Sequence, residues 1–331
     1  MSAKVVAEAR TVPDLGCELS LRIGRHVPHD GYVLSGTDPL TGAGCFLCRE
    51  HGYDRDGFRR ALINDVDGRD LFPFGELAKG PSRVGVLGTG APEERTSARL
   101  HEVLIPLGFG SEMRVALVSG GAIWGTLTLL RERGRRAFSV AEAALIQQLV
   151  PVLAAALRSF VTRAVPRPLR HDQAPGVIII GADDRVKALT PAARDWLSAC
   201  VPDRELTEDD FDLATWHIAH LTRRGAAALS RIPTPNGWIS QHGQPLEGGA
   251  PGDVVITIQS ASSGVLLPAV AAWYGVTPRE RAVVEQALLG LSAKQIARRL
   301  GLSPHTVNDH FKAVYRKTGV TGRDELIATL S

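Results

Sequence analysis

Three helix-start signals follow one another near the C-terminus, and they limit the fold of this 331-residue chain more than any other feature. Thr277-Pro278-Arg279-Glu280 has an N-cap Thr, a Pro at the first helical position and a Glu placed to complete a capping box. Ser292-Ala293-Lys294-Gln295 repeats the capping spacing, and Ser303-Pro304 starts a third helix. The predicted helix ends are Gly290, Gly301 and Gly319.

The second and third of these helices are joined by a short turn that contains Gly301. Two short helices with such a turn form a helix-turn-helix, whose second helix lies in the major groove of DNA. The outer face of that helix mixes base-reading amides with phosphate-pairing cations. The predicted DNA-binding residues are Lys294, Ser303, His305, Thr306, Asn308, Asp309, Lys312, Arg316 and Lys317.

The chemistry of this face predicts separate roles for its residues. Asn308 can make paired hydrogen bonds to adenine, and Asp309 can accept a hydrogen bond from the exocyclic amine of cytosine. Lys312 and Arg316 lie one and two turns further on, where phosphates flank the groove. The alternative is that the face is only the solvated side of a small helical bundle, which is the commoner case for an arbitrary charged helix.

The whole C-terminal segment resembles the DNA-binding domain of the LuxR family, also called the LuxR/GerE type. This resemblance favours the DNA-binding interpretation over the alternative. The residues that carry it are the runs Thr277 to Glu280, Ser292 to Ala297, Leu302 to Val307 with His310, Tyr315 to Lys317, Gly319-Val320 and Arg323 to Leu326.

The resemblance implies a four-helix domain in which the last helix, Asp324 to Leu330, pairs two subunits. It also implies groove contacts for Asn308, Asp309 and Lys312. Two positions depart from the family pattern: Asn308-Asp309 stands where a basic residue is common, and Thr318 replaces an apolar residue. Because an acidic group beside a phosphate would lower affinity, we expect Asp309 to face a base edge or to pair with a neighbour such as Lys312.

Charge and length distinguish this C-terminal segment from the rest of the chain. Residues 265–331 hold nine Lys/Arg against five Asp/Glu, whereas the rest of the chain is nearly neutral. The length suggests two or three domains. A Pro-and-Arg run at Val165 to Pro168 and a Ser/Gly stretch at Ser260 to Gly264 are typical of linkers between domains. They predict domains at 1–164, 169–260 and 266–331. The expected fold class is therefore multidomain, with two α+β units followed by an all-α unit.

The first unit is similar to a GAF-type sensor domain. Predicted strands at Val103 to Leu107, Met113 to Val118 and Ile123 to Leu130 are followed by a long apolar helix. Ser139 and Glu142 form a capping box at the start of this helix. The GAF resemblance is carried by Ile123 to Leu129, by Arg131 and by Phe138-Ser139. It implies either a small-molecule pocket between sheet and helices, or a domain that serves only to dimerise.

The long helix, Val140 to Phe160, has an apolar stripe wider than one sheet face needs, which favours pairing with a second copy. Pro151 should kink or break it.

The second unit is more faintly similar to a PAS-type domain. Its predicted elements are strands at Gly176 to Ile180, Val186 to Leu189, Gly237 to His242 and Asp253 to Gln259, with a helix at Pro191 to Ala199.

Cys45-Phe46-Leu47-Cys48, with His51 beyond, has thiols and an imidazole at a spacing that could hold zinc, haem or a redox pair. Two ordinary thiols are the commoner explanation, and no metal site is predicted. Trp124 could line a ligand pocket, although core packing is more usual for an indole. Cys45, Cys48 and Trp124 are therefore the candidate ligand residues. His217 and His220 have the spacing of helical metal ligands, but a partly exposed helix face explains them better.

The sequence thus predicts a cytoplasmic, dimeric regulator of transcription that binds double-stranded DNA, with a small-molecule effector sensed by the first unit. The alternative is constitutive DNA binding, with the two front units acting as protein-interaction or dimerisation modules without a ligand. No cofactor and no enzyme activity are expected, since neither a phosphate-binding loop nor a catalytic motif is present. No membrane association is expected either, because no stretch reaches the roughly 18 uninterrupted apolar residues that a spanning helix needs.

Overall fold

The computed structural model describes residue 9 and residues 11–68, 70–162, 174–198, 200, 208–225, 228–234 and 237–330. The Pro-Arg run at 165–168 lies outside these ranges. Within them, two antiparallel sheets with flanking helices precede an all-helical unit, so the predicted fold class is confirmed.

The first sheet contains β1 (Gly31–Thr37), β2 (Gly44–Glu50), β3 (Val84–Leu87), β4 (Phe109–Ser119) and β5 (Ala122–Glu132). The strand order is β2-β1-β5-β4-β3, and every pair is antiparallel. The predicted strands at 113–118 and 123–130 are confirmed as parts of β4 and β5. Both glycines of the turn between them have positive φ angles, as a tight hairpin requires.

Helices cover both faces of this sheet. They are α1 (Val12–Gly24), α2 (Arg55–Asp67), α3 (Phe74–Lys79) and α4 (Val140–Val161). Successive side chains of a strand point to opposite faces of the sheet. On one face, Met113, Val115 and Leu117 of β4 share a core with α1 and α4. On the other face of β4, Arg114 donates to Asp65 of α2 and lies over the Phe74 ring of α3, while Glu112 accepts from Arg99.

The predicted strand at Val103 to Leu107 is wrong. Arg99–Leu104 forms a short π-helical segment after a 3-10 turn at Pro92–Thr96, and the chain then turns into β4. A short apolar run fits a strand and a buried helical turn equally well. Here Arg99 decides, because its side chain reaches the buried Glu112 from the helical segment, with Nε–Oε2 and Nη2–Oε1 distances of 2.7 Å.

The α4 helix begins at the predicted capping box: Ser139 Oγ accepts from the Glu142 N–H, and Glu142 accepts from the Ser139 N–H. It is continuous through Pro151, so the predicted break does not occur. Burial of Ile146, Val150 and Leu153 against the sheet outweighs the one backbone hydrogen bond that Pro removes. By length and composition α4 is the one described helix that could span a membrane, which is weak evidence because core helices share these properties.

The second sheet contains β6 (Gly176–Ile180), β7 (Val186–Leu189), β8 (Leu229–Thr234), β9 (Gly237–Pro245) and β10 (Val254–Ser260). Its order is β7-β6-β10-β9-β8, again antiparallel. The four predicted strands are present. Counted within each unit, both sheets have the strand order 2-1-5-4-3, so the two front units share one topology that no sequence repeat reveals.

Two helices pack on the second sheet. Helix α5 (Pro191–Ser198) was predicted, whereas α6 (Glu208–Arg223) and strand β8 were not. Trp196 of α5 is buried and donates its Nε1–H to the Ala174 carbonyl, 3.0 Å away. Trp216 of α6 is also buried, so both indoles are core residues of this unit.

The C-terminal unit contains α7 (Ser263–Tyr274), α8 (Pro278–Leu288), α9 (Ala293–Leu300), α10 (Pro304–Thr318) and α11 (Arg323–Leu330). The Ser/Gly stretch 260–264, predicted as a break, instead forms the end of β10 and the first turn of α7. Helix α7 was missed because its 12 residues are almost uniformly apolar and show no amphipathic period.

Helix α7 connects the C-terminal unit to both front units. Its Trp273 is 1% exposed and stacks on Trp238 of β9, with ring centroids 4.2 Å apart. Arg158 of α4 donates to the Trp273 carbonyl at 2.7 Å, and the Tyr274 hydroxyl donates to the Thr162 carbonyl at 3.1 Å. The apolar core therefore runs without interruption from the first sheet through α4 and α7 into α8 and α10.

The two front units meet along the edge strands β2 and β8 and through α6. Arg231 of β8 forms a buried ion pair with Asp38 (Nη1–Oδ2 2.5 Å) and donates to the Val265 carbonyl of α7. His217 of α6 is half-buried, and its Nδ1 accepts a hydrogen bond from the Gly44 N–H at 2.8 Å. Burial, together with the nearby His220, lowers the pKa of His217 to about 4, so His217 is neutral in the fold near neutral pH.

We predict that His217 makes the fold lose stability as the pH falls below about 6.5. Between pH 6.5 and about 4 the unfolded chain binds a proton at His217 that the folded chain does not, so stability falls as pH falls. The effect should be on the order of 2 kcal/mol, allowing for partial exposure. In His217→Asn the side-chain oxygen can accept from Gly44 without titrating, so the drop in urea midpoint between pH 7 and 5 should shrink. An unchanged drop in the variant would contradict this role.

Candidate nucleic-acid interface

The start and end of α10 are fixed by local sequence. Ser303 Oγ accepts from the Thr306 N–H at 3.0 Å, and Pro304 occupies the first helical position. Gly319 ends the helix in the left-handed region, with a φ of +79°. The predicted helix is therefore confirmed, including its cap and its terminating glycine.

The inner face of α10 packs against the other helices of the unit. Val307, Phe311 and Val314 are buried, as are Ile296 and Ala297 of α9. Gly301 joins the two helices with a φ of +66°, which permits the tight turn. Residue 318, where a Thr departs from the family pattern, is also buried, and its hydroxyl donates to the Val314 carbonyl at 2.9 Å. The departure is therefore accommodated, because the hydroxyl is satisfied within its own helix.

The opposite face of α10 is open to solvent and carries most of the predicted DNA-binding side chains. The exposed members are Ser303, His305, Asn308, Asp309, Lys312 and Arg316 on α10 and its cap, together with Lys294 on α9. Helical spacing aligns Asn308, Lys312 and Arg316 along one side. The structure thus brings an amide and two cations into one row, the composition that groove reading requires.

Asp309 lies beside two groups that can carry positive charge. Its carboxylate is 3.4 Å from His305 Nδ1 and 3.8 Å from Lys312 Nζ, and all three side chains are exposed. This is the neighbour pairing that the sequence offered as one of two explanations for an acidic residue here. An exposed pair of this kind is weak, so it leaves Asp309 able to turn toward a base.

Two of the predicted contacts are engaged within the protein. Lys317 is 25% exposed, and its Nζ lies 2.7 Å from Glu280 Oε2 in the capping box of α8. Burial raises the pKa of Glu280, but the hydrogen bonds from Lys317 and the Thr277 N–H outweigh it, so the pKa of Glu280 is lowered. Thr306 is half-buried, and its hydroxyl bonds to Ser303 Oγ at 2.8 Å.

A shallow groove of about 320 Å³ lies between α9, α10 and the start of α11. Two polar residues that line this groove, Tyr315 and Arg323, were not among the predicted DNA-binding residues. Its lining residues are Ala293, His305, Asn308, Phe311, Lys312, Tyr315 and Arg323. Arg323 donates to the Leu291 carbonyl and lies over the Phe311 ring, with its guanidinium carbon 5.8 Å from the centroid. Only the fold brings the first turn of α11 to this face, so sequence spacing carries no signal for it.

The last helix, α11, uses its apolar residues inside its own unit. Leu326 and Leu330 are buried, and α11 packs on α7 and α8. Asp324, Glu325 and Ala328 are exposed. Pairing of two subunits through this helix, as the resemblance implies, would rest on polar and small side chains.

Cys45 and Cys48 cannot together hold one ligand as they stand. Three residues apart on β2, they point to opposite faces of the sheet: Cys45 lies 3.6 Å from Ser230 Oγ, and Cys48 packs on Gly16 and Tyr32. Burial raises the pKa of the Cys48 thiol to about 12 and also raises that of Cys45. His51 pairs instead with Glu132 at 3.0 Å. No group of three metal-ligating side chains exists among the described residues.

Trp124, the third candidate ligand residue, lies in the apolar core that the first sheet shares with α4 and α7. It is buried, and its Nε1–H donates to the Ser119 carbonyl at 3.1 Å. The Arg158 guanidinium lies over its ring at 5.5 Å. This is the core-packing role that the sequence favoured.

Comparison with known proteins identifies the C-terminal unit. Residues 275–330 match the family model described as bacterial regulatory proteins, luxR family. HTH-type transcriptional regulators of Mycobacterium bovis and Mycobacterium tuberculosis are 47% identical over 55 residues. This match covers 17% of the present chain and 6% of each relative. Residues 275–330 are therefore a LuxR-family helix-turn-helix domain, and the rest of the chain lies outside the match.

Solved structures give more distant similarities. A GAF domain of a phosphoenolpyruvate-protein phosphotransferase from Coxiella burnetii is 16% identical and matches 46% of this chain and 86% of that chain, with a TM-score of 0.31. Escherichia coli SdiA is 13% identical over 98% of this chain and 93% of that chain, with a TM-score of 0.34. These scores are too low to support an argument about function, and the PAS-like interpretation of the second unit stays a prediction.

Replacing each of two neighbouring cations on α10, Arg316 and Lys317, should affect different properties of the protein. Arg316→Ala should reduce the slope of log affinity against log salt by about one, because an exposed cation that pairs with a phosphate releases counterions. Lys317→Ala should instead lower the melting temperature of the C-terminal unit, because it leaves the largely buried Glu280 without its ion partner. Fluorescence anisotropy over a salt series and thermal unfolding measure the two effects. Equal salt slopes for both variants would contradict the assignment.

Proposed function

We propose that this chain is a sequence-specific DNA-binding regulator of transcription that places α10 in the major groove and acts as a homodimer in the cytoplasm. The observation that carries the proposal is the exposed row Asn308, Lys312 and Arg316 on the second helix of a LuxR-family helix-turn-helix domain. A helix of about 10–12 Å diameter fits the major groove, where an amide can read adenine while cations pair with phosphates.

In this proposal Asn308 reads a base and Lys312 and Arg316 position the helix on the backbone. Ser303, at the helix start, lies where a hydroxyl and free backbone N–H groups favour a phosphate. Lys294 on α9 is exposed on the neighbouring helix and would contact the flanking backbone. Lys317 and Thr306 would contribute only if they exchanged their internal partners for DNA.

The front units would regulate the DNA-binding unit through α7. Because Trp273 and Tyr274 are held by both front units and lead directly into α8, a shift of α4 or of β9 would displace the C-terminal unit. The signal we propose is a small-molecule effector of the first unit. The region between its sheet and α2 contains Arg99, Glu112 and Tyr53, all buried and hydrogen-bonded to one another. An effector entering there would have to displace this network.

The same filled region supports a second candidate function. If the network never opens, the front units act as dimerisation or protein-interaction modules and DNA binding is constitutive. Arg99 bonds Glu112 at two points, and breaking a buried pair of this kind costs roughly 3–5 kcal/mol. An effector must bind tightly enough to offset that cost, whereas a protein-interaction module need not open.

Selection of DNA from a random duplex pool with the full chain tests DNA recognition. We expect one enriched motif. Asn308→Ala should relax preference at one base position by about 1–3 kcal/mol while leaving other positions unchanged. Lys312→Ala should weaken binding to all duplexes by a similar factor. No enriched motif, or a motif that both variants leave unchanged, would contradict the proposal.

Native mass spectrometry of the purified chain separates the two candidate roles of the front units. A dimer with retained extra mass would support an effector and give its mass. A dimer at the sequence mass that keeps its DNA affinity after exchange into volatile buffer would support the interaction-module role. The matched control is the same spectrum of Arg99→Met, which weakens the network. If an effector binds there, the fraction of protein that carries extra mass should differ between Arg99→Met and the wild type. If the front units are interaction modules, neither spectrum should show extra mass.

A further inference from the structure

The chain bends back on itself just after α1, and this bend places a histidine beside a serine. The N–H groups of residues 26 and 27 both donate to the Ile23 carbonyl, which turns the chain at the end of the helix. Val27 is completely buried in the core of the first unit. Arg131 Nε–H donates to the Pro28 carbonyl at 2.8 Å and holds the segment from the other side. His29 therefore has a fixed position next to α1.

The hydrogen bonds of His29 determine which of its ring nitrogens carries the proton. Nδ1 lies 2.9 Å from the Val27 carbonyl oxygen, and Nε2 lies 2.9 Å from Ser20 Oγ. A carbonyl oxygen can only accept, so Nδ1 donates, and in the neutral ring Nε2 is then the acceptor. The Ser20 hydroxyl therefore donates to Nε2. In this arrangement a histidine can take the proton of a serine nucleophile, with a backbone carbonyl instead of a carboxylate holding the tautomer.

The surroundings of His29 keep its ring neutral near pH 7. Burial lowers the pKa of His29, and the Val27 carbonyl and Asp30 raise it by less. The charge of Arg131 also lowers the pKa, and the net result is a pKa below the ordinary value. The ring can therefore accept a proton at neutral pH, as a general base must.

Ser20 and His29 line one surface groove with a volume of about 430 Å³. A groove of this size admits a small molecule. Both side chains are half-buried, so the groove gives access to them. Gly24 lines it too, and a Cβ at this position would lie 3.6 Å from His29 Cε1, so the glycine leaves that edge of the ring uncovered. Leu21 is 60% exposed and provides an apolar contact.

Two arginines also line the groove, and one of them can stabilise a developing negative charge. Arg22 Nε pairs with Glu18 Oε1 at 2.5 Å. Arg25 is exposed, and among the described residues its guanidinium has no hydrogen-bond or ion-pair partner. A flexible cation replaces fixed backbone N–H donors here, and each missing fixed donor costs about 10²–10³ in rate. The chemistry at this groove should therefore be slow.

We infer that Ser20 is a nucleophile, with His29 as its general base, for acyl transfer from a short-chain carboxylic ester bound in this groove. Ser20 Oγ attacks the carbonyl carbon while its proton passes to His29 Nε2. The intermediate then expels the leaving oxygen, which takes the proton back, so the products are an acyl ester of Ser20 and an alcohol. Water activated by the same base releases the acid and restores Ser20. This inference does not rest on the proposed DNA binding.

The experiment exposes the full chain to 4-nitrophenyl acetate, follows release of 4-nitrophenolate and locates the acetyl group by peptide mass spectrometry. We expect the acetyl group on Ser20. Ser20→Ala should abolish this adduct, and His29→Gln should slow its formation by roughly 10²- to 10⁴-fold, the usual contribution of a general base. Ser198→Ala is the matched control, because Ser198 is also a helical serine but its hydroxyl donates to the Arg194 carbonyl at 2.9 Å. This variant should react like the wild type.

A fluorophosphonate probe tests the same site on the wild-type chain, so its result does not depend on how the variants fold. An activated serine displaces fluoride from phosphorus and forms a stable Oγ–P bond. Labelling of Ser20 but not of Ser198 would support the inference. Absence of label on Ser20, or equal labelling of both serines, would overturn it. Acetylation of Ser20 at the wild-type rate in His29→Gln, with thermal unfolding unchanged, would also overturn it.

Discussion

The stacking of Trp273 on Trp238 is the contact that joins the C-terminal unit to the second sheet. It joins a helix of the C-terminal unit to a strand of the second sheet, while Arg158 brings α4 of the first unit to the same residue. Close-packed interiors transmit displacement, because they have few voids to absorb it. In the proposed function, a displacement of either front unit would therefore displace the C-terminal unit.

The first unit contains a buried electrostatic network. Arg99 and Glu112 are almost completely buried and satisfy each other in bidentate fashion, while Asp65 and Tyr53 complete the network. Such a network is stable only when every member is paired, so it behaves as one unit rather than as separable contacts. It ties the π-helical segment to β4 and occupies the side of the sheet opposite α4. The two faces of β4 thus have different contacts. One face carries the buried Arg99–Glu112 network, and the other packs against α4, which contacts α7 through Arg158.

The two front units share a strand order, although their sequences show no repeat. Antiparallel sheets need only alternating apolar residues and suitable turns, and many sequences satisfy both conditions. The two units then meet without a continuous ladder. Thr41, before β2, donates to the Leu229 carbonyl of β8, Ser230 of β8 donates to the Gly44 carbonyl of β2, and the Gly44 N–H donates to His217 of α6. This contact was invisible in sequence because its residues are 173 to 188 positions apart, and no local period links them.

The sequence by itself determined the C-terminal unit: caps at Thr277, Ser292 and Ser303, glycine ends, and the exposed face of α10. These are local signals, each set within one turn of helix, so neighbouring residues suffice. It also determined the hairpin of β4 and β5 and the start of α4. Tertiary structure alone decided the rest. It made 103–104 helical through Arg99, placed the end of the Ser/Gly stretch in the first turn of α7, and tied Lys317 to Glu280. Each of these depends on a partner distant in the chain, and burial, not local propensity, sets the free energy of such contacts.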